Sequence, residues 1–526
     1  MVTTRALYCN GRIYTQADGV VCDSMAVRRG RIVATGNRLQ YDPDFISWSR
    51  IDLQGRAVVP GLVDAHTHFY FMALSLGRVN LHAAKSLEEC KEKIGAYARG
   101  LKRNEWVVGE GYAPDNFRRY VLPTKEDLDE VTSGRPAFIF SHDQHSAWVN
   151  SRALELAGVG ACTDDPSGGR IERTEDGAPT GILRESAYML VWPLVSAPAK
   201  RRVDQLYRQA LQLAWSRGVT GVHSMDGMEG FDYVLGLAQR GRVGLRITSY
   251  LPAAEIGKLV ERGIDYGFAD DWVRVAGVKM FADGALGSRT ALCFGRYIGS
   301  EDNCGIEVTS VAQMLRWAKA AAKQGLPCAI HAIGDKAVAN ALEVIERTPK
   351  LRSGGRHRIE HVQLVRRKDI PRLRQLGVVA SMQPQQLLSD VDMVNAYWGK
   401  RGRNTYVFRT MLDKHVDLAF GSDAPIEPLE PLAGIAAAVR RTRPGRRRAF
   451  YPQERISVGQ AVRAFTVGAA VAGGQEDCRG YLMVGYPADF VVLSEDIYRL
   501  PMSRLEEAQV LGTVLDGVVV YDQGVL

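Results

Sequence analysis

The chain contains 526 residues, of which 46% are hydrophobic and 24% are charged. This length exceeds one average domain, and the composition is that of a soluble globular protein with enough apolar side chains for large cores. The net charge of +8 is mostly dispersed along the chain, so the composition does not favour a nucleic-acid-binding function.

Cysteine usage and the N-terminal segment bear on the compartment. Eight cysteines occur without a CxxC pair, which favours reduced thiols over a disulfide framework or a cysteine-based zinc site. The N-terminal segment MVTTRALYCNGRIYT lacks the apolar core of a signal peptide. No stretch reaches the roughly 18 apolar residues of a membrane-spanning helix. We therefore expect a cytoplasmic protein.

Both ends of the chain have the pattern of short β-strands joined by tight turns. The turn signals in residues 6–59 and near the C-terminus are Asn10-Gly11, Arg29-Gly30, Gln54-Gly55 and Asp516-Gly517. The N-terminal segment predicts a small antiparallel sheet. Two β-rich ends around a different middle predict a composite β-sandwich, built from residues 1–58 and 480–526, that flanks a larger domain at 59–479.

The segment VVPGLVDAHTHF, residues 58–69, predicts a buried strand that ends in two histidines. Alternate residues of a strand share a face, so His66 and His68 point the same way and could chelate a metal ion. Two ordinary half-buried histidines explain this spacing equally well. The remaining ligands must therefore come from elsewhere in the chain.

Residues 75–200 are predicted to form an insertion after this strand. Its first helix, in SLEECKEKIGAYARG, begins at a capping box formed by Ser86 and Glu89 and ends at Gly100. From about residue 101, short strands alternate with many turn residues, so we expect irregular structure. Polar residues cluster here, which indicates an insertion that covers a site.

From residue 203, helices alternate with buried-type strands. Together with the strand at 58–66, the pattern predicts eight strands, the others lying in GVTGVHSMD and at 244–252, 272–283, 326–334, 356–364, 377–384 and 416–425. Eight β/α units predict a (β/α)8 TIM barrel of the α/β class, in which chemistry is performed at the carboxyl ends of the strands.

Polar side chains lie at the predicted ends of several strands. In addition to the two histidines of the first strand, these are Lys279 on strand four, His331 on strand five, His361 on strand six and Asp423 on strand eight. A buried ammonium group is costly, so Lys279 is either carboxylated by CO₂, as an anionic metal ligand, or paired with Asp283 or Asp423. This many polar residues at separate strand ends favours a metal site over isolated core histidines.

Motifs along nearly the whole chain resemble the amidohydrolase superfamily, in the branch that contains N-substituted formamide deformylases. The motifs are VVPGLVDAHTHF, VKMFADGALGSRTA, AIHAIGD, HRIEHVQL and FGSDAPIEPLEPL, with GEGYAPDNF, SHDQHSAWVNSRAL and PTGILRE in the insertion. The resemblance implies a metal-dependent hydrolase on a distorted TIM barrel, flanked by a small β-sandwich from both termini. In it, His66 and His68 bind one metal, and His331 and His361 bind another. The resemblance also implies that carboxylated Lys279 bridges the metals and that Asp423 ligates a metal and transfers protons.

The same resemblance places the SHDQH segment near the pocket. We expect His145 to assist catalysis by stabilising an oxyanion, and Asn150, Asp115 and Arg289 to contact the substrate. Two further histidines leave the choice of metal ligands open. His357 is four residues before His361, so both would lie on the same face of the strand, and His223 also lies near a strand end. The motif match favours His361, and a core or pocket role is better supported for His223.

The predicted function is hydrolysis of a carbon–nitrogen bond in a non-peptide amide, such as an N-substituted formamide or an N-acyl compound, by a metal-activated hydroxide. We expect one or two Zn²⁺ ions, although other divalent metals suit the same ligands. The alternatives are an ester, lactone or cyclic-amide hydrolase with the same metal centre, or a non-catalytic barrel that binds a ligand.

The expected partners are a small-molecule substrate, no nucleic acid and no membrane, with a homodimer as the candidate oligomer. One dense basic run, Arg440 to Arg448, follows the last predicted barrel strand. We expect this run to be a solvated surface loop.

Overall fold

The computed structural model describes residues 5–17, 19–102, 105–114, 117–142, 144, 146–166, 168–195, 198–443, 445–446 and 448–526. The chain divides into two compact units. One combines Met1–Phe71 with Leu211–Leu526, and the other is Met72–Ala210.

The N-terminal strands belong to two different sheets. They are β1 (Arg5–Cys9), β2 (Arg12–Tyr14), β3 (Val21–Cys22), β4 (Ser24–Arg28), β5 (Arg31–Gly36), β6 (Ser49–Asp52) and β7 (Ala57–Pro60). One four-stranded sheet has the order β5-β4-β1-β6. The turn at Arg29-Gly30 has positive φ at both residues and joins β4 to β5 as an antiparallel hairpin.

The prediction of a purely antiparallel unit is wrong for part of this region. Strand β1 pairs with β6 in parallel, and β2 pairs with β7 in parallel. The reason is that the turns at Asn10-Gly11 and Gln54-Gly55 each pass the chain from one sheet to the other, so neither closes a hairpin.

The segment VVPGLVDAHTHF forms two strands where one was predicted. Strand β7 ends at Pro60, and the first barrel strand, β8 (Leu62–Thr67), begins after Gly61. The Gly61 backbone N–H donates to the Asp489 carbonyl at 2.8 Å. A Cβ atom on Gly61 would lie 2.2 Å from Thr220 Oγ1, so the close approach of the Thr220 side chain requires glycine here.

The unit Met72–Ala210 has its own sheet, which includes the short strands predicted in EWVVGEG and PAFIFSH. The expectation of irregular structure around those strands is wrong. The six-stranded sheet has the order β13-β14-β12-β11-β10-β9. These strands are β9 (Val79–Asn80), β10 (Val107–Tyr112), β11 (Ala137–Ser141), β12 (Ser146–Val149), β13 (Gly169–Arg173) and β14 (Pro179–Glu185). Apolar side chains such as Trp148, Ile139 and Phe138 are fully buried against it, which gives this unit its own core.

The α-helices up to the second barrel strand are α1 (Phe69–Ser75), α2 (Leu87–Arg99), α3 (Lys125–Thr132), α4 (Ser151–Ala157) and α5 (Lys200–Ser216). Helix α2 confirms the predicted helix and half of the predicted capping box. The Ser86 side chain accepts from the Glu89 backbone N–H, but the Glu89 carboxylate accepts from Lys85, not from Ser86.

The eight predicted barrel strands form one parallel sheet of the order β21-β20-β19-β18-β17-β16-β15-β8. The seven after β8 are β15 (Val219–Ser224), β16 (Arg246–Pro252), β17 (Val273–Phe281), β18 (Cys328–Ala332), β19 (Arg358–His361), β20 (Val379–Met382) and β21 (Leu418–Phe420). Strands β8 and β21 approach each other, so the sheet is nearly closed. This confirms the distorted TIM barrel.

Ten helices accompany the barrel strands within the described part of the chain. They are α6 (Gly227–Ala238), α7 (Ile256–Glu261), α8 (Val311–Lys323), α9 (Asp335–Glu346), α10 (Ile370–Gln375), α11 (Pro384–Met393), α12 (Phe408–Asp413), α13 (Pro431–Arg440), α14 (Val458–Ala464) and α15 (Val467–Gly473). None of the helices in the described residues is long and apolar enough to cross a membrane.

The last three strands are β22 (Phe490–Leu493), β23 (Val510–Leu515) and β24 (Val518–Asp522). They join N-terminal strands in a sheet of the order β24-β23-β22-β7-β2-β3. Strand β22 pairs antiparallel with β7, so the two chain termini share one sheet. Buried Tyr8, Met25 and Phe490 lie in one core cluster between the sheets. This confirms the composite β-sandwich.

The basic run at the end of α13 is only partly a solvated loop. Gly445, Arg446 and Arg448 are exposed, as predicted, but the prediction is wrong for Arg441 and Arg443, which are tied into the fold. Arg441 is 0% exposed, and its guanidinium donates to the carbonyls of Phe450 and Tyr406 at 2.8 and 2.9 Å. Arg443 forms an ion pair with Asp392 at 2.6 Å. The Arg441 side chain therefore joins the end of α13 to two backbone carbonyls elsewhere in the chain.

Candidate metal centre

Three strand ends bring nitrogen and oxygen ligands together at one edge of the barrel. His66 and His361 lie in β8 and β19, and Asp423 follows β21. One ligand atom from each lies within 4.8 Å of the other two. His68 belongs to the same group, since Asp423 Oδ1 is 3.5 Å from both His66 Nε2 and His68 Nε2.

His331 on β18 completes the row of histidines. Its ring centroid is 4.5 Å from that of His361. The Nε2 atom of His331 lies 3.0 Å from the Gly284 carbonyl. A carbonyl can only accept, so Nε2 carries the proton and Nδ1 keeps a free lone pair. Burial lowers the pKa of His331 well below its usual value, which keeps the ring neutral, as ligation requires.

A buried aspartate fixes the loops around His331. Asp283 accepts backbone N–H bonds from Leu292 at 2.8 Å, from Ile333 at 3.0 Å and from Gly334 at 2.8 Å. Its Oδ1 atom is 3.6 Å from His331 Nε2. Asp283 therefore stabilises the segment that holds His331.

Lys279 is 6% exposed, in the interior of the barrel. Among the described residues, no carboxylate lies within 4.0 Å of its Nζ atom, so the predicted alternative of an ion pair with Asp283 or Asp423 does not form. The Nζ atom lies 5.1 Å from the centre of the Phe281 ring. Burial lowers the pKa of Lys279 to about 8, which makes the neutral amine far more accessible than in an exposed lysine.

Asp423 is oriented by its neighbours. The Gln386 amide donates to Oδ2 at 2.9 Å, and the Asp423 backbone N–H donates to the His66 carbonyl at 2.7 Å. Burial raises the pKa of the Asp423 carboxyl, but the nearby histidines outweigh burial and hold this pKa well below its usual range. The carboxyl is therefore ionised, with Oδ1 directed at His66 and His68.

Two carboxylates support His66 from behind. Glu360 Oε2 is 2.6 Å from His66 Nδ1, and Asp64 Oδ1 accepts the His66 backbone N–H at 3.1 Å. Asp64 also accepts the Ser422 backbone N–H at 3.0 Å, so it ties β8 to the segment that carries Asp423. Arg358 pairs with Glu360 at 2.5 Å, and both side chains are 0% exposed.

The two histidines left open by strand parity lie elsewhere. His357 precedes β19, and its Nδ1 accepts the Cys328 backbone N–H at 3.0 Å, at the end of the strand opposite to His361. His223 is 2% exposed, and its Nδ1 accepts from Arg358 Nη1 at 2.8 Å. The geometry therefore groups His361, and neither of these two, with His66 and Asp423.

Comparison with protein-family models matches residues 50–521 to the Amidohydrolase family. The chain belongs to the amidohydrolase family. It is 34% identical to Protein LONG AFTER FAR-RED 3 of Arabidopsis thaliana, over 98% of this chain and 91% of that protein. It is 28% identical to N-substituted formamide deformylase of Arthrobacter pascens, over 90% of each.

Among solved structures, a metal-dependent hydrolase from Pyrococcus furiosus is 30% identical and superposes with a TM-score of 0.77. The superposition covers 94% of this chain and 100% of that chain. This confirms the resemblance inferred from the motifs. As an amidohydrolase, the protein is a hydrolase of carbon–nitrogen bonds other than peptide bonds.

The residues of this amidohydrolase site fit a divalent metal ion. Imidazole nitrogens together with a carboxylate are the ligands that zinc and similar ions prefer. His361 Nδ1 is a buried nitrogen that has no hydrogen-bond partner in the described part of the chain, an arrangement that is costly unless a group from outside the chain satisfies it. The donor set and this unpartnered atom both agree with metal binding.

The predicted substrate contacts have different outcomes. Asp115 and His145 lie outside the described residues, so both stay predictions. Arg289 is exposed on the loop after β17, where its guanidinium lies 4.3 Å from the centre of the Tyr397 ring. Its contact with substrate also stays a prediction.

Asn150 has a structural role that the sequence prediction missed. It is 1% exposed and caps α4. Its side-chain oxygen accepts the backbone N–H groups of Ala137 and Ala153, both at 3.0 Å, and its amide donates to Thr132 Oγ1 and the Arg135 carbonyl. Every hydrogen-bonding position of this amide is occupied, so we withdraw it as a substrate contact.

Sequence reasoning also missed the residues that support the ligands, which are Asp64, Arg358, Glu360 and Gln386. A signal was present for two of them. Arg358 and Glu360 are charged residues inside the buried-type strand RHRIEHVQL, where a charge must be paired. The pattern indicates that they need partners, but it does not identify His66 as one of them.

Proposed function

We propose that this amidohydrolase cleaves the carbon–nitrogen bond of a small non-peptide amide, an N-substituted formamide or an N-acyl compound, at a metal centre. The observation that carries the proposal is the convergence of His66, His361 and Asp423 within 4.8 Å, with His68 and His331 beside them. The relative named N-substituted formamide deformylase supports this substrate class.

One or two Zn²⁺ ions, held by these residues, would polarise the substrate carbonyl and lower the pKa of water toward neutrality. Lys279, when carboxylated, would supply the anionic bridging ligand. Carboxylation requires a neutral amine, and the burial that lowers the pKa of Lys279 to about 8 supports this modification. The lack of a carboxylate partner for Lys279 among the described residues also supports it.

Asp423 is the proposed proton carrier. Gln386 holds its Oδ2 atom, while Oδ1 faces the histidines. The ionised carboxylate can accept a proton from the attacking water and deliver it to the departing amine nitrogen. Because Gln386 fixes the orientation of the carboxylate, the same residue would be available for both transfers.

The test measures metal content and hydrolytic turnover of Lys279→Ala and Asp423→Asn. We expect Asp423→Asn to lose turnover by at least a factor of ~100, the usual scale for removing a group engaged in proton transfer. We expect Lys279→Ala to lose both turnover and metal, because it removes a proposed metal ligand. Exposed Lys258→Ala and Asp413→Asn provide controls with the same chemical changes on the protein surface. Wild-type turnover in either site variant would overturn the proposal.

A substrate panel tests the bond that is cleaved. N-substituted formamides, N-acyl amino acids and lactones should be compared under identical metal loading. We expect kcat/KM to be highest for a compound with a carbon–nitrogen bond. Efficient turnover restricted to lactones or esters would establish the alternative hydrolase instead.

A further inference from the structure

A fully buried ion pair crosses the interior of the barrel directly behind His66. Arg358 Nε is 2.5 Å from Glu360 Oε1, and Arg358 Nη2 is 2.8 Å from Glu360 Oε2. Both residues are 0% exposed. Burying two charges is expensive, and replacement by apolar residues often stabilises a core, so stability alone does not explain this pair.

Arg358 has three hydrogen-bond partners besides Glu360. Its guanidinium donates to the Ala65 carbonyl at 2.5 Å, to Ser381 Oγ at 2.5 Å and to His223 Nδ1 at 2.8 Å. These partners lie on β8, β20 and β15. The guanidinium therefore fixes both oxygens of Glu360 relative to the strands that surround them.

The position of Glu360 determines which nitrogen of His66 carries the proton. An ionised carboxylate can only accept hydrogen bonds, and Oε2 lies 2.6 Å from Nδ1, so Nδ1 must be protonated. The Nε2 atom then keeps its lone pair, and it lies 3.5 Å from Asp423 Oδ1. In the other tautomer, an Nε2–H group would turn toward Asp423 and block the ligand position.

We propose that Glu360 is a positioning residue for His66, and that with Arg358 it selects the Nδ1–H tautomer and presents Nε2 to a divalent cation. This inference rests on the proposed function only in taking His66 as a metal ligand. The tautomer itself is a property of the metal-free chain, so it can be measured without substrate or activity.

The first test records two-bond ¹H–¹⁵N correlations of the metal-free wild-type protein with ¹⁵N-labelled histidine. The His66 signals are assigned by their loss in His66→Gln. We expect the Nδ1–H tautomer. An Nε2–H tautomer in the wild-type protein would overturn the proposal, whatever the protein hydrolyses.

The second test compares Co²⁺ binding, followed by visible absorption, in wild type and in Arg358→Met/Glu360→Met. Replacing both members avoids leaving one buried charge unpaired. We expect 10–100-fold weaker Co²⁺ binding and the Nε2–H tautomer at His66. Wild-type affinity with an unchanged tautomer would refute the role of Glu360.

A second, less deeply buried ion pair provides the control. Arg246 is 8% exposed and pairs with Asp489 at 2.6 Å and with Asp516 at 2.9 Å, and none of these residues contacts the metal centre. Arg246→Met/Asp489→Leu should lower stability without changing Co²⁺ affinity. Equal weakening of Co²⁺ binding in both double variants would mean that any loss of a buried pair disturbs the site, and would overturn the assignment.

Discussion

Replacing Gly61 with alanine should disturb the junction from which the strand with His66 begins. The new Cβ would lie 2.2 Å from Thr220 Oγ1 and 2.6 Å from Thr220 Cγ2, more than ~1 Å inside the separation at which such atoms rest. Thr220 is 2% exposed and β-branched, so it cannot rotate away freely. Overpacking of this kind costs about 1–3 kcal/mol, and we expect the upper end because the contact joins two strands.

A double-mutant cycle with Thr220→Ala isolates this contact. Removing Oγ1 and Cγ2 leaves only the Thr220 Cβ, at 2.9 Å, so we expect Gly61→Ala/Thr220→Ala to recover about 1–2 kcal/mol relative to the sum of the single changes. The assay is urea unfolding, with metal content measured in parallel. Gly257→Ala in α7 is the control, because a Cβ atom at Gly257 would have no described atom within 4 Å. This variant should be as stable as the wild type or more stable, since alanine in a helix is favoured over glycine by up to about 1 kcal/mol. Gly61→Ala with wild-type stability, or additive energies in the cycle, would refute the steric reasoning.

Three further predictions address the fold and the site. Burial lowers the pKa of His357 from 6.5 to about 4, so the unfolded chain binds more protons than the folded chain between these pH values. The resulting stabilisation of about 3 kcal/mol is complete above pH 6.5 and should be lost as the pH falls toward 4. Urea unfolding at several pH values should show this loss, and His357→Gln should reduce the dependence of the unfolding free energy on pH. Asn150→Ala should lower the free energy of unfolding by about 2–4 kcal/mol, because it leaves the buried N–H groups of Ala137 and Ala153 unpaired; unchanged stability with a raised KM would instead restore its role in substrate binding. Removal of metal by a chelator should lower the melting temperature and abolish turnover, because a ligand bound only by the folded state stabilises that state. Added Zn²⁺ should restore both, as measured by calorimetry and activity assays. A chelated protein with an unchanged melting temperature and unchanged turnover would contradict the metal centre.

The candidate site was predicted from local patterns to a considerable extent. Buried apolar runs that end in His66, His331, His361 and Asp423 identified both the strands and the edge at which their side chains meet, because parallel barrel strands all present their carboxyl ends at one side. Parity alone could not separate His361 from His357. The structure separates them because His357 precedes β19, whereas His361 is its last residue.

The insertion shows why local patterns were insufficient elsewhere. Its strands are short, and they pair in an order that combines parallel with antiparallel neighbours, as β11 does with β10 and β12. Short runs of this kind have little periodicity, so the sequence predicted a few short strands among irregular structure and not the six-stranded sheet. Asn150 was predicted to contact substrate, although an asparagine directly before the helical run SRALELA is also a local N-cap signal.

The sequence by itself determined the fold class of the protein, its eight barrel strands, the joining of its two termini in one sandwich and the candidate metal ligands at the strand ends. These features depend on alternation, turn residues and strand order, which adjacent residues encode. Only the tertiary structure decided that VVPGLVDAHTHF is divided at Gly61, and that Glu360 and Arg358 lie behind His66. The physical reason is that hydrogen bonds across the barrel join residues almost 300 positions apart, and the closure of the sheet, which no local pattern records, determines which of them meet.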